Sequence, residues 1–208
     1  MLNKAKNLKI RRNSKTFTGA LLYTLTSHTD DVISLAVLSN GNLASGSSDS
    51  TVKIWNPSTG ALLSTLAGHT GKVWTLALLS NGNLASGSDD KTVKIWNAST
   101  GALVFTLTGH TSTVWRLALL SNGNLASGSS DYTVRIWNPN TGALVFTLFG
   151  HTNIVRALAT LSNGNLASGS DDKTVKIWNP STGTLLYTLI GHTSNIKTQY
   201  RCTCFHLD

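Results

Sequence analysis

The chain has 208 residues, a length that suits one or two domains, and its 17 basic and 9 acidic side chains give a net charge of +8. It contains no apolar run of about 18 residues, and its start, MLNKAKNLKIRRNSK, lacks the apolar stretch of a secretory signal. These features argue against a membrane span and against secretion, so we expect a cytoplasmic protein. Only two cysteines are present, Cys202 and Cys204, which excludes a disulfide framework.

The first predicted segment is a basic arm at residues 1–15. It holds six of the 17 basic residues and no acidic residue, so 11 basic and 9 acidic residues remain from position 16 onward. The six are Lys4, Lys6, Lys9, Arg11, Arg12 and Lys15. Such an arm attracts phosphate or an anionic surface by charge alone, which keeps a nucleic-acid or anionic-surface binder as an alternative function. Because the arm has no aromatic residues for base stacking, we favour a solvated tail and do not expect nucleic acid as the partner.

From position 28 onward the sequence repeats with a period of 41 residues. Evenly spaced histidines and tryptophans mark the period: His28, His69, His110, His151 and His192, with Trp55, Trp96, Trp137 and Trp178. Four full units cover residues 28–68, 69–109, 110–150 and 151–191, and 27 of their 41 positions are identical in all four. Near-identical units predict one structural element stacked on copies of itself.

Each unit is predicted to contain four short strands. In the second unit these are VWTLALL (73–79), NLASGS (83–88), TVKIW (92–96) and ALVFTL (102–107). Asn81-Gly82 predicts a two-residue type I′ hairpin turn, in which both residues have positive φ. The polar segments 89–91 and 97–101 supply the other two turns. The pattern therefore predicts an all-β chain of four-stranded sheets.

The stretch GHTGKVWTLALLSNGNLASGSDDKTVKIWN, residues 68–97, resembles a WD40 repeat, with Trp-Asn where that family usually has Trp-Asp. The resemblance covers residues 28–191. It implies a β-propeller of four-stranded antiparallel blades, with four complete blades within residues 16–191, that acts as a non-catalytic scaffold for protein–protein interaction. It also implies that a tetrad of His, Ser, Asp and Trp joins the loop before the first strand of each blade to the second and third strands. By position the tetrads are His28, Ser45, Asp49 and Trp55; His69, Ser86, Asp90 and Trp96; His110, Ser127, Asp131 and Trp137; and His151, Ser168, Asp172 and Trp178.

Ser, His and Asp together also suggest a hydrolase. A buried Asp, however, needs hydrogen-bond donors, and a His N–H, a Ser hydroxyl and an indole N–H can all be linked to it. A catalytic triad needs one nucleophile beside one oxyanion hole, and four identical copies do not fit that requirement. We therefore predict a structural role, no catalytic residue and no enzyme. No cofactor or metal site is expected either, because Cys202, Cys204 and His206 form too small a ligand set without a second cluster.

Half of the 14 positions that vary between units fall in two connections, the link into the first strand and the turn between the second and third strands. WD40 propellers place both connections on one face of the disc. Because loops on a rigid scaffold often bind partners, and Trp, Tyr and Arg dominate interface hot spots, we expect this variable face to bind a protein or peptide. The expected contact residues are Asp31, Ile33, Lys72, Trp74, Asp89, Thr113, Trp115, Arg116, Tyr132, Ile154, Arg156 and Asp171. The alternative is that loops tolerate drift, and that Trp74 and Trp115 only pack against the next blade.

The two ends do not complete a whole number of units. Residues 18–25, TGALLYTL, nearly repeat residues 182–189, TGTLLYTL, so the extra strand at 17–25 would compete with 181–189 for the edge of the last blade. Residues 192–208 retain at most a degraded first strand. Because an open row of four blades exposes two apolar faces, we expect a homodimer in which two chains share one eight-bladed ring. A four-bladed monomer, and a fragment or half-ring acting only as an assembly unit, remain alternatives.

Overall fold

The protein is described from a computed structural model, which covers residues 8–11 and 21–196. These residues form 18 strands, arranged as four four-stranded antiparallel sheets and one two-stranded sheet. No helix occurs in these two ranges. The all-β, four-bladed architecture predicted from the repeat is therefore confirmed.

Each repeat unit forms one blade, and the strand bounds recur with the period of the sequence. Blade 1 contains β3 (Val32–Val37), β4 (Leu43–Ser47), β5 (Val52–Trp55) and β6 (Leu62–Leu66). Blade 2 contains β7 (Val73–Leu78), β8 (Leu84–Ser88), β9 (Val93–Trp96) and β10 (Leu103–Leu107). Blade 3 contains β11 (Val114–Leu119), β12 (Leu125–Ser129), β13 (Val134–Trp137) and β14 (Leu144–Leu148). Blade 4 contains β15 (Val155–Thr160), β16 (Leu166–Ser170), β17 (Val175–Asn179) and β18 (Thr184–Leu189).

The hairpin between the first two strands of each blade differs from the predicted type I′ turn. In blade 2, Gly82 N donates to Leu79 O over 3.0 Å, and Leu79 N donates to Asn83 O over 2.9 Å. Gly82 has a φ of +82°, whereas Asn81 is not among the residues with positive φ. The loop is therefore a three-residue type I turn closed by a glycine in the left-handed region, and the type I′ prediction was wrong. The difference lies in the pairing: Asn83 pairs with Leu79 and not with Ser80, so the loop contains Ser80 as well as Asn81 and Gly82.

Consecutive blades pack face to face through apolar side chains. In the blade 2–blade 3 interface, Ile95 and Leu107 of blade 2 lie in one cluster with Val114, Leu125 and Trp137 of blade 3, and all are at least nine-tenths buried. Burying a side chain of this size stabilises the fold by about 1.5–3 kcal/mol. The blade 1–blade 2 and blade 3–blade 4 interfaces repeat the pattern. The apolar side chains on one face of each blade thus pack against the Val, Leu and Trp side chains of the next blade.

A glycine in the second strand of each blade permits this close approach. A Cβ added to Gly87 would lie 2.8 Å from Val114 Cγ1, and one added to Gly128 would lie 2.8 Å from Val155 Cγ1. The same contact recurs after blade 4, where a Cβ on Gly169 would lie 2.7 Å from Ile196 Cγ2. Residues 192–196 are not in a strand, yet Ile196 occupies the position that valine holds in the complete repeats.

The blades form an open row in the described part of the chain. The first strands of the blades lie side by side in the order β3, β7, β11 and β15, and the close packing does not return from β15 to β3. The two ends of the row differ, because β1 (Leu8–Arg11) and β2 (Leu21–Leu25) pair with each other and cover the start of blade 1. Leu25 packs there against Leu43 and Trp55.

The strands at the two ends of the chain lie on different blades, whereas the sequence suggested that both would compete for blade 4. The extra fourth strand, β2, lies on blade 1, and β18 alone fills the outer edge of blade 4. The expected competition between 17–25 and 181–189 for blade 4 does not occur in this structure. Part of the predicted basic arm, Leu8–Arg11, forms β1, while the remainder of residues 1–15 lies outside the described residues.

Candidate interaction face and the repeated tetrads

The structure brings the four members of every predicted tetrad together. In blade 2, His69 Nδ1 lies 2.6 Å from Asp90 Oδ2, His69 Nε2 lies 2.7 Å from Ser86 Oγ, and Trp96 Nε1 donates to Ser86 Oγ over 2.8 Å. The other blades repeat this geometry with distances within about 0.1 Å of these. A threonine two residues after the Asp completes the set, since Thr92 Oγ1 donates to Asp90 Oδ1 over 2.7 Å.

The added threonine was not predicted, although the sequence carried a signal for it. It is identical in all four units, two positions after the Asp: Thr51, Thr92, Thr133 and Thr174. A short polar side chain at that spacing can bond back to the preceding carboxylate, as Ser and Thr commonly do in turns. The carboxylate therefore accepts hydrogen bonds from two loops as well as from the histidine.

The hydrogen bonds of the tetrad are satisfied by a neutral histidine. In blade 1, Ser45 Oγ accepts from the indole of Trp55 and can donate its single hydrogen to His28 Nε2, which places the proton of a neutral imidazole on Nδ1, facing Asp49. This assignment leaves each donor in the chain with an acceptor. The tetrad is thus satisfied with a neutral His and an ionised Asp.

The pKa shifts agree with this assignment. Burial lowers the pKa of His28 and of His151 below 6.5, and this outweighs their hydrogen bonds to Asp49 and Asp172. For Asp49, burial alone would raise the pKa, but hydrogen bonds from Thr51 and His28 outweigh it and bring the pKa to about 2. The direction is the same for the carboxyls of the other tetrads, Asp90, Asp131 and Asp172.

The serine of each tetrad has no access to solvent. Ser45, Ser86, Ser127 and Ser168 are all fully buried, and each oxygen already bonds both an indole and an imidazole. A nucleophile must reach a substrate carbonyl, and these oxygens have no route to one in this structure.

The second predicted group lies at one end of the first strands, on the variable face. The rings of Trp74 and Trp115 are in contact, with centroids 4.4 Å apart and planes tilted by 45°. The guanidinium carbon of Arg156 lies 4.7 Å from the centroid of the Trp115 ring, a cation–π distance. Trp74, Trp115 and Arg156, here called the aromatic row, therefore run continuously across blades 2, 3 and 4. All three side chains are half-buried.

Each member of the aromatic row is held by a residue of its own blade. Trp74 Nε1 donates to Asp89 Oδ1 over 2.6 Å, and Trp115 Nε1 donates to Ser130 Oγ over 2.6 Å. Arg156 Nε donates to Asp171 Oδ2 over 2.7 Å. In each of these blades, a variable residue at the start of the first strand is thus bonded to a variable residue of the turn between the second and third strands.

A local irregularity of the strand positions these side chains. The register of the first strand shifts between Val114 and Arg116, so that Trp115 is skipped in the pairing with β12. Trp74 and Arg156 are skipped in the same way, as is Ile33 in blade 1. A bulge redirects the side chain of the extra residue, which places these residues at the end of the sheet.

The aromatic row also joins neighbouring blades. Thr113 Oγ1 of blade 3 donates to Asp89 Oδ1 of blade 2 over 3.0 Å, beside the bond from Trp74. The tryptophans also pack between blades, since Trp74 of blade 2 contacts Trp115 of blade 3. The alternative role considered for them therefore coexists with their position on the variable face.

The other expected contact residues lie outside the aromatic row and differ in their exposure to solvent. Tyr132 is 45% exposed and has a φ of +69°, and Lys72 is exposed. Ile154 O accepts a hydrogen bond from Asp171 N over 2.9 Å, so its backbone has a structural role. The three remaining residues, Asp31, Ile33 and Arg116, are half-buried.

Other site types find no support among residues 8–11 and 21–196. That part of the chain has no group of three or more His, Cys, Asp or Glu side chains placed to hold a metal ion, while Cys202, Cys204 and His206 lie outside it. Nothing helical within the same ranges combines the length and the apolar character needed to cross a membrane.

The stacked four-stranded blades and the repeated tetrads define a repeat protein of the propeller type. The family model for the WD domain, G-beta repeat, matches the chain four times, at residues 19–56, 60–97, 101–138 and 142–179. The chain belongs to the WD40 family. Proteins of this family are generally non-catalytic scaffolds for protein interaction. No curated protein matches the chain.

Proposed function

We propose that this protein is a non-catalytic platform that binds a peptide or protein segment across its variable face. The observation that supports the proposal is the aromatic row, in which Trp74, Trp115 and Arg156 span three blades in direct contact. Large aromatic and Arg side chains held rigidly in place are the types that contribute most binding energy at interfaces. The tetrads, in this proposal, stabilise the blades and take no part in binding.

The form of the face favours an extended segment. The three side chains form a row, and the two indole N–H groups and Arg156 Nε are already bonded to Asp89, Ser130 and Asp171, so the tryptophans offer a ligand mainly ring carbon surface. Ring carbon surface suits apolar, proline or aromatic side chains. A segment lying along the row would contact three blades at once.

The charge around the row suggests the polar part of the ligand. Lys72, Lys91 and Lys173 are exposed in the connections of blades 2 and 4, on either side of the aromatic row. Opposite charges steer association and fix register. We therefore expect a segment with acidic residues flanking an apolar or aromatic centre.

A selection from a random displayed peptide library against the full chain tests this proposal. We expect Trp115→Ala and Arg156→Ala each to weaken binding of the selected peptides by about 10-fold or more, since central hot-spot truncations cost about 2 kcal/mol. Leu144→Ala is the matched control, because Leu144 is a large apolar residue, 45% exposed, on the outer strand of blade 3. Unchanged dissociation constants in variants with normal melting curves would disprove the assigned face.

A second function, assembly unit of a larger ring, is favoured by a separate observation. Among the described residues no further blade covers the outward face of blade 4; Ile196 lies there against Gly169, but Leu189 is 50% exposed where Leu148 of blade 3 is 2% exposed. We propose that the chain associates through this end, as in the homodimer that shares an eight-bladed ring. The native mass in solution tests this: a particle of 22.1 kDa at every concentration would contradict it.

A further inference from the structure

The exposed outward surface of blade 4 is the fourth copy of an interface that the chain uses three times. Its equivalents in blades 1 to 3 face the next blade and are buried by the Val, Leu and Trp of that blade. This last-blade face comprises Leu161, Ala167, Val175, Ile177, Tyr187 and Leu189. The internal copies therefore show what kind of surface covers it: the leading face of another blade.

Exposure is greatest on the outer strand of this face. Leu25, Leu66, Leu107 and Leu148, the equivalents of Leu189, are 2–3% exposed, against 50% for Leu189 itself. Tyr187 is 64% exposed. Its equivalents Phe105 and Phe146 are half-buried against the glycine of the next blade's last turn, Gly142 and Gly183 respectively.

One strand of the chain already shows how such a surface meets blade 1. The pentapeptide LLYTL occurs twice, as β2 (Leu21–Leu25) and as residues 185–189 of β18. In β2, the Tyr23 ring lies against Gly60, the Tyr23 hydroxyl donates to Ser58 O over 2.8 Å, and Leu25 packs on Trp55. The identical side chains Tyr187 and Leu189 are the most exposed part of the last-blade face.

The β1–β2 pair covers blade 1 only in part. Val32 is half-buried, whereas Val73, Val114 and Val155 at the same position are fully buried, and Leu43 is 8% exposed where Leu84 is fully buried. Two strands thus replace the four that a complete blade provides. A complete blade would bury more of blade 1 than β1–β2 does.

We propose that the last-blade face of one copy binds blade 1 of a second copy, in place of the second copy's own β1–β2 pair. The same exchange at both ends joins two chains in a closed ring of eight blades with two-fold symmetry. This inference rests on the assembly function proposed above, and it names the two surfaces that meet.

Three features make this junction weaker than the internal ones. Ile196 lies against Gly169, so residues 192–196 must leave that position for Val32 of the second copy. Within the chain, Thr113 of blade 3 donates to Asp89 of blade 2. At the new junction, Asp31 of the second copy is equivalent to Thr113 and Asp171 is equivalent to Asp89, so two carboxylates would approach each other. The attached β1–β2 pair competes at a high effective concentration. We therefore expect an equilibrium that depends on protein concentration.

The repeated pentapeptide supplies a matched set of variants for the full chain. Leu189→Asp removes an apolar contact from the last-blade face, whereas Leu25→Asp loosens β2 from blade 1 and opens the site for a second copy. Leu185→Asp is the control, because Leu185 is 44% exposed and its equivalents Leu62, Leu103 and Leu144 are 41–46% exposed in every blade. Light scattering on a size-exclusion column gives the mass over a range of concentrations.

We expect the native chain to approach twice 22.1 kDa as its concentration rises, and Leu185→Asp to behave in the same way. Leu189→Asp should stay at 22.1 kDa, and Leu25→Asp should dimerise at about 10-fold lower concentration. If Leu25→Asp does not fold, Tyr23→Ala replaces it, since Tyr23 is only half-buried.

Three outcomes would overturn the inference, and they differ in what they say about assembly. If Leu189→Asp dimerises like the native chain, assembly stands and this interface is wrong. If Leu189→Asp is monomeric but Leu25→Asp has no effect, two last-blade faces meet each other. If the native chain and Leu25→Asp both stay at 22.1 kDa, the assembly function fails as well, and the face is covered by the chain itself or by a different protein.

Discussion

Replacing Asp90 by alanine tests the role assigned to the tetrads. Its carboxylate accepts four hydrogen bonds: from His69 Nδ1 at 2.6 Å, Thr70 N at 3.1 Å, Thr92 N at 3.0 Å and Thr92 Oγ1 at 2.7 Å. A hydrogen bond to a charged group contributes about 1.5–3 kcal/mol, and a buried donor left without an acceptor costs a similar amount. Because water can replace the carboxylate for the exposed donors, we expect a total loss of about 3–4 kcal/mol, which is less than the sum.

The expected change in melting temperature follows from the size of the chain. For about 150–250 residues, 1 kcal/mol shifts the melting temperature by about 2–4 °C, so Asp90→Ala should lower it by about 10 °C. Asp90→Asn keeps one acceptor oxygen and should fall between Asp90→Ala and the native chain. Asp30→Ala is the control, because Asp30 is exposed and its carboxylate accepts one exposed hydrogen bond, from Asp31 N; it should change the stability by less than about 1 kcal/mol. A melting curve of Asp90→Ala that matches the native one would refute the structural role of the carboxylate.

Two further predictions concern pH and backbone strain. Because burial lowers the pKa of His28 and hydrogen bonds lower that of Asp49 to about 2, the unfolded chain binds more protons than the folded one on the acidic side. Stability should therefore fall as the pH drops below about 6.5 and again below about 4; a urea midpoint that is constant from pH 8 to pH 3 would contradict this. Lys91 has a φ of +70°, a conformation that costs most side chains about 1 kcal/mol, so Lys91→Gly should raise the unfolding free energy by a few tenths to about 1 kcal/mol. Lys72→Gly, at an exposed lysine outside the positive-φ set, should give no gain, and equal effects of the two substitutions in urea unfolding would exclude relief of strain.

The strands and the tetrads were predictable because four copies of one unit repeat the same constraints. Any interpretation of Ser86, Asp90 or Trp96 had to hold at four places at once, which favoured a role in packing over a unique site. The predicted strand bounds agree with the structure to within one residue in blade 2. The contact between Trp74 and Trp115 was harder to predict, because it depends on the bulge, and the sequence gives no pairing register at that position.

The β1–β2 pair shows where the repeat signal failed. Leu8-Lys9-Ile10 corresponds to Val52-Lys53-Ile54 at the start of a third strand, but the next residue is arginine in place of tryptophan. The segment 12–19 is also three residues longer than the matching turn, residues 56–60. The distance along the chain from β1 to β2 therefore differs from the distance between the third and fourth strands of a repeat unit. The segment was therefore interpreted from its charge as an arm, although Leu8–Arg11 pair with β2.

The bonded pairs on the variable face also affect how such a surface can change. Trp74 and Asp89, and likewise Arg156 and Asp171, are each separated by 15 residues and lie within a single 41-residue unit. Duplicating or exchanging a whole unit therefore moves a bulge side chain together with the residue that holds it. Because the interfaces between blades are nearly identical, a transferred unit meets neighbours that already fit it. A chain of this kind can rearrange its recognition surface by shuffling intact blades, without redesigning the contacts one by one.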